Sequence, residues 1–242
     1  LSFLDFSRRL DAVELMDEDG LPPDRLRRAL GFLRLTNRFF GGEAVILGHM
    51  ERFRRNWPPG ASISVLDVGT GSADIPAALV RWARARGVSM RVTALDRSQA
   101  VLALARENAA AFPEVVVREG DFFDLARSGE TFDYVTASLF LHHLPPGREV
   151  EALRGFDRLA KRGVIVSDLS RGPAAFAGVW LLSRLAGDDI VRHDGPLSVR
   201  RAFTPEDLSR SAEEAGLEYL RVRRRPWFRL SLAGEKSAEG AR

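Results

Sequence analysis

Cysteine is absent from the 242 residues, which excludes a disulfide framework, a thiolate nucleophile and a cysteine zinc site. The absence fits a reducing, cytoplasmic setting. Lysine is nearly absent too. Lys161 and Lys236 are the only two, so the 36 basic residues are almost all arginine, and a lysine-rich tetrad for ribose hydroxyls has nothing to draw on. With 33 acidic residues the formal charge is only +3, too small an excess to imply obligate nucleic-acid binding. Long hydrophobic runs are missing as well: the longest uncharged apolar stretch, residues 172–183, falls short of the roughly 20 residues that a membrane span needs. No basic-then-apolar leader opens the sequence, where Asp5, Arg8 and Arg9 interrupt the pattern.

What is present suits one globular domain with a sizeable core, since 45% of the residues are hydrophobic and no long charge block interrupts them. Over residues 4–57 leucines and aromatics recur at helical spacing, broken at Gly20-Leu21-Pro22-Pro23 and Gly41-Gly42 and stopped by Pro58-Pro59-Gly60. This predicts two or three helices in a segment 1–60, placed as a lid. From residue 61 short apolar strands alternate with helical segments, the signature of a parallel sheet covered on both faces, extending to about residue 234. Residues 164–168 are its fifth strand. An insertion over 169–203, the expected wall of an acceptor pocket, precedes a helix capped by Thr204 with Pro205 at its first position. Segments 217–222 and 227–232 read as a closing antiparallel pair with the Arg221 to Arg225 run between them, either a solvated hairpin or a patch for an anionic partner. The tail 235–242 reads as flexible.

Residues 65–76, Val-Leu-Asp-Val-Gly-Thr-Gly-Ser-Ala-Asp-Ile-Pro, carry the chemistry. A strand ends at Asp67 and runs into a turn at Gly69-Thr70-Gly71, where glycine lets a ligand sit directly against the backbone. A dinucleotide fingerprint wants a third glycine and a helix start that welcomes a diphosphate. Asp74 stands at that start and would repel one, whereas Asp67 and Asp74 suit a ligand with a cationic head. A second strand ends in Asp96, followed by Arg97 and the cap Ser98; a carboxylate there accepts hydrogen bonds from ribose hydroxyls. After a third strand, Gly120-Asp121-Phe122-Phe123 offers a carboxylate for an exocyclic amine and an aromatic face for a ring. A fourth strand ends at Ser138 and runs into Leu139-Phe140-Leu141-His142-His143-Leu144.

These four stations, in this order over residues 62–232, resemble the class I S-adenosylmethionine-dependent methyltransferases. The resemblance implies an α/β, Rossmann-like fold with a mostly parallel seven-stranded sheet, helices on both faces and an N-terminal helical lid. It implies S-adenosylmethionine as cofactor, with S-adenosylhomocysteine as product, held by Asp67, Gly69, Thr70, Gly71, Asp74, Asp96, Arg97, Asp121, Phe122 and Ser138. Within the family, Asn37-Arg38 with Gly41-Gly42, and the Arg192-His193-Asp194-Gly195 loop, are similar to bacterial methyltransferases of phenolic, polyketide or quinone pathways. The acceptor expected is therefore a hydrophobic small molecule, methylated at a phenolic or quinol oxygen by a monomer or homodimer.

A phenol with a pKa near 10 is protonated at neutral pH, so a base within reach would help, and histidine is the natural candidate. His142 and His143 follow the fourth strand; one of them points into the site, or else one braces a carbonyl and the other is solvated. His193, beside Asp194, is a candidate base from the acceptor side or a polar loop residue. His49 reads as structural. Arg38, Phe40, Phe140 and Trp180 are candidate substrate contacts, although aromatics more often serve the core. No metal is expected, because Asp168 is a single carboxylate without an evident partner. The alternatives left open are carbon methylation of an activated ring, an RNA methyltransferase and a methyltransferase-like module that binds without catalysis.

Overall fold

The computed structural model describes residues 5–18 and 20–237. Its centre is a sheet of seven strands: β1 (Ser62–Val68), β2 (Ser89–Asp96), β3 (Val115–Glu119), β4 (Phe132–Ser138), β5 (Ala160–Leu169), β6 (Arg221–Arg225) and β7 (Arg229–Glu235). They lie in the order β3-β2-β1-β4-β5-β7-β6. The first five are parallel, and β7 runs antiparallel to both neighbours. Strand order therefore reverses between β1 and β4, the place where open α/β sheets leave a crevice beyond the strands' carboxyl ends.

The central strands are apolar on both faces because both faces are covered. Along β1, Ile63 and Val65 point into one core while Leu66 and Val68 point into the other. The helices are α1 (Pro23–Phe39), α2 (Gly42–Phe53), α3 (Asp74–Arg84), α4 (Gln99–Ala109), the single turn α5 (Phe122–Leu125), α6 (Arg148–Leu159), α7 (Pro173–Leu185), α8 (Asp189–Arg201) and α9 (Pro205–Glu214). Their starts follow from local chemistry. The Ser98 hydroxyl accepts from the Val101 N–H, and Thr204 and Asp207 form a reciprocal capping box.

Three expectations shift. Only part of the N-terminal segment is lid-like: α2 buries Ile46, Met50 and Phe53 beside Tyr134 and Ile165, so it is a layer of the sheet's packing. The insertion is two packed helices, α7 and α8, and the presumed loop at His193 lies inside α8. The arginine run is strand β6 itself rather than a connection, and an edge strand so charged resists pairing with another chain. At the carboxyl end, Glu235 belongs to β7 and the Lys236 N–H donates to the Arg162 carbonyl, so the expected tail is ordered there; its residues 238–242 lie outside the described residues.

Candidate functional site

At the reversal point lies a cavity of about 790 Å³. It is lined by the turn after β1, the ends of β2 and β4, the start of α5 and, from above, by α1 and residues 16–18, 20 and 21. Gly69 and Gly71 both take positive φ, 64° and 56°. At Gly69 space as well as conformation requires glycine, because a Cβ would come within 2.5 Å of the Phe140 ring. Ala73 completes the turn at φ 59°, a conformation alanine adopts at a cost.

Carboxylates dominate the floor. Asp67 is buried, and the hydroxyls of Thr136 and Thr70 donate to it at 2.7 and 2.8 Å. Burial, with a smaller contribution from Asp74 and Asp96, raises its pKa to about 7 despite those bonds. Asp96 accepts from the Gly71 and Ser98 N–H groups, both at 3.1 Å, and its pKa too is raised, chiefly by burial. Asp74 accepts from the Asn37 amide at 2.8 Å; Asn37 in turn accepts from the buried guanidinium of Arg229 at 2.9 Å. Among the described residues, Ser138 Oγ is buried without a hydrogen-bond partner at the cavity wall. A carboxylate-rich floor with an open hydroxyl suits a ligand that is cationic and rich in polar groups.

Asp121 caps α5, accepting from the Phe123 N–H at 2.6 Å. The expected aromatic face is only partly as read. Phe122 borders the cavity, but it is 5% exposed and its ring packs on Phe156 at 4.8 Å. Phe123, partly open and also lining the cavity, carries the Arg148 guanidinium on its ring at 4.1 Å.

The two histidines sit in a 3-10 turn after a strained residue, Leu139 at φ 55°, and they divide their tasks. His142 is buried, its Nδ1 2.6 Å from Asp168 Oδ1. His143 lines the cavity, its Nδ1 2.8 Å from Asp17 Oδ2. Both Nε2 atoms face Glu14, at 3.8 and 4.0 Å. Burial opposes a charge on His143, yet Glu14 and Asp17 outweigh it and lift its pKa to about 9. Asp17 and Asp168 are correspondingly lowered, since these histidines overcome their burial. Glu14, His142 and His143 offer ligand atoms within 4.8 Å of one another, a spacing that a metal could use. A cation already serves that carboxylate: the Arg201 guanidinium lies 3.3 Å from Glu14 and 3.5 Å from Asp17.

Glu14, Asp17 and Arg201 carried no signal in the sequence. The first two lie in the 4–57 segment, whose apolar spacing says nothing about its acids, and only the fold brings them to the histidine turn. Asp194 holds them there, its carboxylate accepting from the Leu15 and Met16 N–H groups at 2.9 Å each.

Five predicted site residues lie outside the cavity lining, the first being His142, buried against Asp168. His193 is half-exposed, its Nδ1 2.8 Å from Asp194. Arg38 is exposed over the Phe39 ring. Phe40 packs edge-on against Trp227, and Trp180 lies outward under the Arg184 guanidinium. No residue of 169–203 lines the cavity, because α7 and α8 pack on each other and α8 reaches the site only through the backbone and side chains it anchors. His49 is structural as read: it accepts from Arg225 at 2.8 Å, and burial with nearby arginines lowers its pKa to about 4.

Residues 65–163 match the methyltransferase-domain family. A demethylmenaquinone methyltransferase of Lysinibacillus sphaericus is 33% identical over 119 residues, 49% of each chain; the match spans about half the length of that relative. Among solved structures, a Nostoc punctiforme protein described as an O-methyltransferase superposes with a TM-score of 0.62 at 15% identity, over 93% of this chain and 64% of that one. Magnesium protoporphyrin IX methyltransferase of Synechocystis, with S-adenosylhomocysteine bound, gives 0.59 at 18% identity over 88% and 94%. Residues 65–163 are therefore similar to a methyltransferase domain, and the fold is that of the class I S-adenosylmethionine-dependent methyltransferases. The carboxylate floor, glycine turn and open Ser138 hydroxyl fit a sulfonium compound such as S-adenosylmethionine.

Proposed function

We propose that the protein methylates a hydrophobic small molecule at a phenolic or quinol oxygen, without a metal. The observation that carries this reading is His143, aimed at the cavity beyond β4 and backed by Glu14 and Asp17. When bound, S-adenosylmethionine supplies an electrophilic methyl group. Asp96 would hold its ribose hydroxyls, Asp67 and Asp74 its cationic end, and Asp121 its adenine amine, with Phe123 beside the ring. Ser138 and the backbone of Gly69, Thr70 and Gly71 would complete the cradle.

His143 is charged at neutral pH, so it acts first as a hydrogen-bond donor. It would hold the acceptor oxygen as the phenolate and thereby lower the pH at which the hydroxyl ionises. Asp17 fixes the ring through Nδ1, and the Asp168–His142 pair braces the turn from below. Residues 16–18, 20 and 21 with α1 close the roof and exclude water. Arg201 supplies the positive charge that a metal would otherwise bring to Glu14, which supports metal independence. The name of the demethylmenaquinone relative supports a quinol-type acceptor.

Calorimetric titration with S-adenosylmethionine, S-adenosylhomocysteine and nicotinamide dinucleotides is the first test; micromolar binding of the sulfonium pair alone is expected. Methyl transfer to a panel of phenols and quinols follows, with and without a chelator. Activity lost to the chelator and restored by magnesium would overturn the metal-free reading. His143→Gln should lower turnover far more than cofactor affinity, and full activity in that variant would remove His143 from the chemistry.

A further inference from the structure

The outward face of α7 is almost entirely apolar. Its exposed positions are Pro173, Ala174, Ala177, Trp180, Leu181, Arg184 and Leu185, which at 100° per residue occupy one continuous side of the helix. Surface helices of globular proteins turn charged residues outward; this one shows solvent a single arginine and, from end to end, no acid. Leu181 and Leu185 are 58% and 77% exposed.

A second element extends the face. The turn between β6 and β7 presents Trp227 and Phe228, 59% and 43% exposed, and both have positive φ, 61° and 56°. Tight hairpins of this kind favour asparagine and glycine, which take that conformation cheaply. Here two bulky aromatics are held in it, with their rings at the surface. The turn is continuous with α7, because Phe228 approaches Gly178, one turn before Leu181, so closely that a Cβ there would lie 3.1 Å from its ring. On the other side Trp227 meets Phe40 edge-on, beside Phe39, which is 63% exposed. Three separate elements therefore converge on one exposed apolar face, larger than scattered surface hydrophobes explain.

Arginines surround it. Arg184 lies over Trp180 and Arg38 over Phe39, and Arg223 and Arg224 are exposed in β6 just before the turn. We propose that this face docks the protein onto a lipid bilayer carrying anionic head groups, with Trp180, Leu181, Leu185, Trp227 and Phe228 entering the interface and the arginines contacting the head groups. Tryptophan at the boundary, aliphatic side chains below it and flanking cations form the pattern that interfacial binding requires. A second copy of the chain fits less well, because a two-fold contact would set these arginines against their own equivalents. Among the described residues no helix is long and apolar enough to cross a membrane, so the contact is peripheral. The proposal stands apart from methyl transfer and is tested without it.

The test is co-sedimentation of the full chain with vesicles of phosphatidylcholine alone and of phosphatidylcholine with about one third phosphatidylglycerol. Tryptophan emission and sedimentation equilibrium are recorded in parallel. Binding to the anionic vesicles is expected, with a blue shift in emission and weakening as salt rises. Leu181→Asp and Trp227→Ser should each reduce binding about tenfold or more, with melting by circular dichroism unchanged. Charge reversal at Arg184 and Arg223 should abolish the preference for phosphatidylglycerol. Absence of vesicle binding overturns the proposal, as does equal binding by the variants. A dimer that Leu181→Asp dissociates, in a protein that ignores vesicles, would assign the face to a second copy instead.

Discussion

At the scale of single residues, the cofactor turn makes the sharpest demands. Gly69 is fixed twice, by a φ of 64° and by the Phe140 ring 2.5 Å from where a Cβ would stand. Gly69→Ala should cost about 1–2 kcal/mol for the backbone alone, and displacing the ring should weaken cofactor binding further. Thermal melting and calorimetry would show both losses, and a variant matching the parent in both would contradict this account of the turn. Asp96 already accepts two backbone N–H groups, which fix its orientation before a ligand arrives. Asp96→Ala should weaken S-adenosylmethionine binding by roughly 1.5–3 kcal/mol for each charge-assisted hydrogen bond lost. Unchanged affinity would remove its assignment to the ribose. Both positions are legible in the sequence because their roles are local, a strand ending in a carboxylate or a turn needing positive φ. Phe122 shows the limit of local reading: the motif marks the aromatic pair, but packing on Phe156 and Gly155 buries the first ring and leaves the second beside the cavity.

At the scale of elements, the roof depends on charge. The stretch from Glu14 to Asp17 meets the histidine turn through His143, Arg201 and the N–H groups taken by Asp194. His143 has its pKa raised to about 9, from about 6.5 in an unfolded chain. Its contribution to docking is therefore complete below about pH 6.5 and is lost as pH rises through about 9. Protease cleavage or amide exchange of residues 5–18 should quicken between pH 7 and 9.5, and Asp17→Asn should move that change to lower pH. The same titration separates two roles for His143. If its charge holds the phenolate, turnover falls as pH passes 9; if the neutral ring takes the proton, turnover rises there. The β6–β7 hairpin is the other place where elements departed from the sequence. A run of arginines reads as a connection, yet β7 supplies the buried side of the pair, and the edge position tolerates charge because one side of β6 faces no strand.

At the scale of the whole molecule, stability is uneven in a predictable way. The two cores meet across β1, β4 and β5, whose apolar side chains are essentially unexposed, whereas residues 5–18 of the roof are held by ion pairs, a few backbone bonds and the small apolar clusters that Leu15 and Met16 join. Native-state hydrogen exchange should open residues 5–18 first and the three central strands last. Equal protection in roof and centre would mean that the roof is an integral layer. The sequence by itself determined the parallel strands and the glycine turn after β1, because each depends on short-range patterning: apolar strands buried on both faces and glycines where φ is positive. Tertiary structure alone decided what surrounds the histidine turn. Asp17 reaches His143 across 126 residues of chain, and Glu14, Arg201 and Asp194 converge there from segments with no motif. Electrostatic groups meet wherever folding places them, and local spacing records nothing of that meeting. The same reason accounts for the apolar face of α7, whose residues read as the wall of an acceptor pocket until the packing left them outside.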